Sequence, residues 1–109
     1  MPIPEEIEIL SPWTALGADR AKTLELELMR EISPGHVLQG RNIRALAARV
    51  DRDDVLFEIE AYTAPLALVH LTWHKEENPI WPDTTLFNSW DQWVRDVLSP
   101  NHEEFTLAE

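Results

Sequence analysis

His70 and His74 are the side chains whose type and spacing first suggest chemistry. Two imidazoles at this spacing share a metal ion when they lie one turn apart on a helix. Here they fall in a stretch where Ala67, Val69, Leu71 and Trp73 alternate with Leu68, His70, Thr72 and His74, which is the period of a strand. At roughly 3.3 Å per strand residue the two rings stand about 13 Å apart, too far for one ion. Asp51, Asp53 and Asp54 resemble the start of a calcium loop but lack its central Gly and terminal Glu, so they read as a turn. Glu58 and Glu60 share one face of a strand, as an acid–base pair would, yet nothing in the sequence pushes their proton affinities apart. With no Cys, no Gly-x-Ser-x-Gly and only 3 Gly, there is no thiolate, no nucleophile elbow and no phosphate-cradling loop. The pattern assigns no catalytic residue, no metal site and no cofactor.

The elements that must position these side chains follow from periodicity. Residues 1–13 hold three prolines and read as an extended arm. A helix of about 14 residues follows, with Asp19 as N-cap and Ala21, Leu24, Leu28 and Ile32 as its buried stripe, stopped by Ser33-Pro34-Gly35. Residues 42–50 could be helical by propensity, but the alternation of Leu46, Ala48 and Val50 and the turn at 51–54 favour a strand. Residues 55–62 and 66–74 form a hairpin. A proline-punctuated loop covers 75–85, and a second helix carries Phe87, Trp90, Val94, Val97 and Leu98, capped by Asn88 or Ser89 and ended by Ser99-Pro100-Asn101. Residues 100–109 read as a mobile acidic tail in which Phe105 and Leu107 could dock.

Apolar matching then predicts the register. Phe57 is set opposite Leu71, Val55 opposite Trp73, Val50 opposite Val55 and Ala48 opposite Phe57. One face becomes the core beneath both helices. The other stays open and carries Arg49, Glu58, Glu60, Tyr62, His70 and His74, with Glu58 across from His70 and Asp54 across from His74. Of the five tryptophans, Trp73, Trp90 and Trp93 fall on apolar stripes, while Trp13 and Trp81 sit beside prolines in loops as candidate partner anchors.

Composition narrows the function. The 109 residues suit one domain. No basic leader opens the chain, and no apolar run nears the roughly 20 residues that span a bilayer. Together with the missing cysteines this points to the cytoplasm. A formal charge of −11 argues against nucleic acid and anionic membrane as partners, and towards a basic protein.

The segments Asp51-Arg-Asp-Asp-Val-Leu-Phe-Glu and Val69-His-Leu-Thr-Trp73, with Pro82 and Trp90, resemble a family of small uncharacterised bacterial proteins sharing a "DDVLF … VHLTW" core. The resemblance covers residues 18–98. It implies a strand at 42–50 and a bacterial cytoplasmic setting, and it assigns no catalytic residues.

The expected fold is therefore α+β: helix, three-stranded antiparallel meander, helix, with both helices on one sheet face. The expected function is a non-enzymatic protein-binding module, of inhibitor, immunity or accessory-subunit type, with Arg49, Glu58, Glu60, Tyr62, His70, His74 and Trp81 as its binding surface. The alternative is a small hydrolase or transferase using Glu58, His70 and Arg49. A homodimer through the open face or a sheet edge is a third expectation.

Overall fold

The structure, a computed structural model, describes residues 3–107. Its centre is a five-stranded antiparallel sheet in simple chain order, β1 (Trp13–Ala15), β2 (Ile43–Arg49), β3 (Asp54–Ile59), β4 (Leu66–His70) and β5 (Asp83–Phe87). Helix α1 (Ala18–Glu31) lies between β1 and β2 in sequence. After β5, α2 (Trp90–Trp93), a π-helical stretch (Val94–Leu98) and α3 (Ser99–Leu107) continue one into the next.

The three-stranded meander is thus too small. The middle three strands are as expected, and β1 and β5 are added at the edges. Both are short and begin beside a proline, which donates no ladder hydrogen bond and so suits an edge. The residues read as an arm are partly this edge strand: Trp13 pairs with Arg49, and Ile3, Ile9 and Leu10 pack on the core. Met1 and Pro2 lie outside the described residues.

The two helices cover opposite faces, not one. On the first face Leu24 and Leu28 of α1 pack with Val55, Phe57, Ile59, Ala67, Val69 and Leu71. On the second, Trp93 and Leu98 pack with Trp13, Leu46, Ala47, Leu56, Leu66 and Phe87. The face read as open is a second core, because a sheet that is apolar on both sides needs a layer over each. A bulge produces this on β2: Ala45 opposes Phe57 and Ala47 opposes Leu56, leaving Leu46 as the extra residue. Ala45 and Ala48 consequently face α1, whereas Leu46 and Ala47 face the C-terminal helix. Val50, expected in the core, is 69% exposed.

The hairpin register also differs. Phe57 opposes Ala67, Val55 opposes Val69 and Asp54 opposes His70. This moves β4 by four residues from the predicted pairing. An even shift keeps every side chain on its expected face, which is why the core assignment of β3 and β4 holds while the partners do not. The turn sets the offset: Ala61 takes a left-handed conformation (φ 54), and Ile59 N–H donates to the Pro65 carbonyl at 2.7 Å.

Ser89 caps α2, accepting from Gln92 N–H, while Gln92 Oε1 accepts from Asn88 N–H. Pro100 does not end the helix, and the tail is helical through Leu107. The wide π turn directly precedes Pro100, where a regular ladder would require the N–H that proline lacks. Ala108 and Glu109 lie outside the described residues. Among the described residues no helix is long and apolar enough to cross a membrane.

Candidate functional site

The sheet and α1 leave a groove of about 760 Å³ beside the ends of β2 and β3. Helix α1 supplies one wall with Lys22, Glu25, Leu26 and Met29, and Arg41, Asn42 and Arg44 enter where the chain joins β2. Glu58, Ile59, Glu60 and Tyr62 come from the end of β3 and its turn. The volume falls within the range of ordinary ligand pockets. Leu26 and Met29 lie on the side of α1 turned away from its buried Leu24 and Leu28, and they are 61% and 59% exposed. A more open hollow of about 870 Å³ adjoins the groove and shares Lys22, Glu25, Ile43 and Arg44 with it.

Several polar groups at the groove are already held. Glu25 Oε2 accepts from the Ala45 N–H at 2.9 Å, which satisfies a backbone donor beside the bulge. Glu60 Oε2 accepts from Asn42 Nδ2 at 3.2 Å. The Arg41 guanidinium carbon lies 4.0 Å from the centroid of the Tyr62 ring, a cation–π contact. The register sets Arg44 opposite Glu58.

Of the residues expected to form one binding surface, the groove gathers Glu58, Glu60 and Tyr62 and leaves the others elsewhere. Arg49 is buried and locked: its Nε and Nη2 donate to both oxygens of Asp51, and Nη1 donates to Asn101 Oδ1. This fork holds the Asp51 carboxyl below its ordinary value. His70 lies at the far end of β4, level with Asp54 on β3 and Asp83 on β5. The expected pairs Glu58–His70 and Asp54–His74 do not form; His70 Nδ1 bonds Asp54 Oδ1 at 2.7 Å, and Glu58 opposes Leu66. His74 lies past the end of β4, exposed, its N–H bonded to Thr72 Oγ1. Trp81 is 45% exposed in the loop before β5. Trp13, read as a loop anchor, is buried edge-on against Trp93, and its Nε1 donates to Asn101 Oδ1. Trp73, read as core, is 45% exposed and takes φ 60. Among the described residues no group of three or more imidazoles and carboxylates is placed to hold a metal ion.

A second polar cluster escaped the sequence reading. Glu31, the last residue of α1, is fully buried. Its carboxylate accepts from Thr72 N–H and Trp73 N–H, both at 2.8 Å, and from Thr72 Oγ1 at 3.1 Å. It clasps the segment that leaves β4. Burial pushes its carboxyl up, and a hydrogen bond shared with Glu27 pushes it further, outweighing the Thr72 and Trp73 amides. Burial also pushes Glu27 up, but hydrogen bonds with Glu31 and Arg30 outweigh it and bring that carboxyl below its ordinary value. The spacing of Glu27 and Glu31 was visible; that position 31 points inward was not, since an acid at a helix end ordinarily faces water.

No family model, curated protein or solved structure matches the chain.

Proposed function

We propose that this chain is a non-enzymatic protein-binding module that takes a segment of its partner in the groove between α1 and the ends of β2 and β3. The observation that carries the reading is the exposed apolar rim. Leu26 and Met29 lie within one turn of α1, above a groove that also contains Ile43, Ile59 and Pro65. Exposed large apolar side chains beside a concavity rimmed by charge are the usual mark of an interaction site, and the unbranched Met adapts to varied partner shapes. The absence of cysteine accords with a cytoplasmic setting.

The alternative, a hydrolase or transferase using Glu58, His70 and Arg49, finds less support. Arg49 is spent on Asp51 and Asn101, and His70 sits at the opposite end of the sheet from Glu58. Along β3 that separation is roughly 13 Å, beyond any shared reacting atom.

Panning a displayed peptide library on the protein tests the proposal. Selected clones should bind the Leu26→Asp/Met29→Asp double variant roughly tenfold more weakly, a loss of about 1.4 kcal/mol. Both side chains are exposed, so the variant should unfold at the wild-type temperature. Clones that bind both proteins equally would place the site elsewhere and sink the reading.

A further inference from the structure

We propose that β5 is a docking edge on which a second copy of this chain pairs its own β5 antiparallel, about a two-fold axis through Thr85. Strand β5 lends no residue to the groove, so this inference is independent of the reading above. Backbone direction carries it. Ile59 N–H donates to the Pro65 carbonyl and Leu71 N–H to the Asp53 carbonyl, so odd-numbered residues of β4 turn their backbone groups to β3 and even-numbered ones to β5. Leu66, Leu68 and His70 there meet Phe87, Thr85 and Asp83. The backbone groups of Thr84 and Leu86 therefore point away from the sheet. Among the described residues no side chain or loop bonds them.

The open window is bounded at both ends. His36 Nδ1 accepts from Leu38 N–H, so Nε2 carries the proton and donates to the Pro82 carbonyl at 3.0 Å. Thr84 Oγ1 donates to the same carbonyl, and Gln92 Oε1 accepts from Asn88 N–H at 2.8 Å. The opposite edge is closed by its own chain. Val50 N–H donates to the Pro12 carbonyl and Leu16 N–H to the Leu46 carbonyl, so Trp13 and Ala15 of β1 face outward, and Trp13 N–H donates to the Leu10 carbonyl. Strand β5 also lacks the usual guards of an edge, since Asp83–Phe87 contains no Lys, no Pro and no bulge.

The window is self-complementary. With Thr85 opposite Thr85, Thr84 of each copy meets Leu86 of the other, and their N–H and C=O groups close each other completely. The next pair would be Pro82 against Asn88, whose groups each copy has already used. The side chains agree with this register. Thr85 is exposed and meets its own copy in the close, non-hydrogen-bonded type of pair, where Thr–Thr contacts are favourable. Half-buried Leu86, packed on the α1 core, comes diagonal to Leu86 of the other copy on the same face. The one charge of the strand, Asp83, lies opposite Phe87 rather than its like. Two molecules of charge −11 repel, but main-chain bonds need no charge, and salt screens exposed charges more than about 8–10 Å apart. Added salt should therefore tighten the pairing.

Analytical ultracentrifugation of the full chain tests this. The wild type should show a monomer–dimer equilibrium with a dissociation constant of about 100 μM, as suits a small contact, and the constant should fall as salt rises. Thr84→Pro removes an outward donor but no ladder bond and should weaken the dimer about tenfold or more. Thr85→Lys and Thr85→Glu each set like charges face to face and should weaken it about fivefold, while an equimolar mixture of the two should recover the wild-type constant. A wild type that stays monomeric at about 1 mM would overturn the pairing. So would a dimer that loosens with salt, one indifferent to Thr84→Pro, or a mixture no tighter than either charge variant alone. Circular-dichroism melting separates lost pairing from lost folding. Where a variant melts early, amide exchange of the wild type decides: exchange at Thr84 and Leu86 should slow as protein concentration rises, and indifference to concentration would overturn the pairing. Slowing only on addition of a Thr-Val repeat peptide would give the edge to another chain and overturn it as well.

Discussion

Replacing Glu31 by Ala is expected to cost about 3–5 kcal/mol, a large share of the 5–15 kcal/mol that holds a typical domain together. The side chain is fully buried, and its carboxylate is the acceptor for two backbone amides and one hydroxyl at 2.8, 2.8 and 3.1 Å. Truncation removes all three bonds. Thr72 Oγ1 still has the His74 carbonyl to donate to, but the Thr72 and Trp73 amides are left without their acceptor. Leaving these two part-buried amides without that acceptor costs about 1–3 kcal/mol together, and the cavity left by the buried side chain adds to that. Glu31→Gln should cost less, about 1–3 kcal/mol, since one carbonyl still accepts while the new NH2 faces a donor.

The pH dependence separates the two variants further. Glu31's folded carboxyl lies above its unfolded value, so its contribution is complete below the unfolded value and is lost as pH rises through the raised folded one. Glu27 runs the other way, contributing above its unfolded value and losing that as pH falls through its lowered one. The wild-type advantage over Glu31→Gln should therefore shrink as pH rises through the folded value of Glu31. Urea unfolding followed by tryptophan fluorescence and far-ultraviolet circular dichroism measures both effects. A Glu31→Ala loss below about 1 kcal/mol, or a Glu31→Gln curve parallel to wild type at every pH, would refute the clasp.

Three further outcomes follow from the same structure. Trp13→Ala should lose about 3–5 kcal/mol, because it empties a site packed against Trp93 and removes the donor to Asn101; calorimetry would show a loop-like change below 1 kcal/mol if β1 were only an arm. Gly35→Ala should lose about 1–2 kcal/mol, since Gly35 has φ +95 and an added Cβ would sit 3.3 Å from Pro79 Cβ; an unchanged melting temperature would contradict it. Ala61→Gly should stabilise by up to about 1 kcal/mol, because Ala61 holds φ 54 in the turn after β3; destabilisation would show that the turn is not strained there.

Much of the fold was legible locally. The stripe of Leu24 and Leu28, the caps at Ser89 and the alternation in β3 and β4 are each set by neighbours within a turn or a strand. The edge strands were not, because Trp13–Ala15 and Asp83–Phe87 are too short to show a period and stand beside prolines that ordinarily mark loops. The candidate site was half legible. Glu58, Glu60 and Tyr62 lie within one short stretch, so any strand reading keeps them together. Lys22, Leu26, Met29 and Arg41 join them only through the packing of α1 on the sheet.

By itself, then, the sequence determined the first helix, the Ser89-capped start of the second, which strands form the hairpin and which side chains of β3 and β4 face the α1 core, since these depend on periods of 3.6 and 2. It put Phe87 on a helix and stopped that helix at Pro100, where the structure has a strand and a helix that runs on to Leu107. It also determined the chain's large negative charge. Tertiary structure decided the rest. An even register shift preserves the apolar pattern, so only the turn at Ala61 could choose Asp54 over Glu58 as the partner of His70. Packing of Trp93 and Leu98 on the supposedly open face made it a second core, and the bulge turned Leu46 towards it. Net charge is a sum without positions, and only the fold could bring Lys22, Arg41 and Arg44 together with Glu25, Glu58 and Glu60 at one groove of an acidic protein.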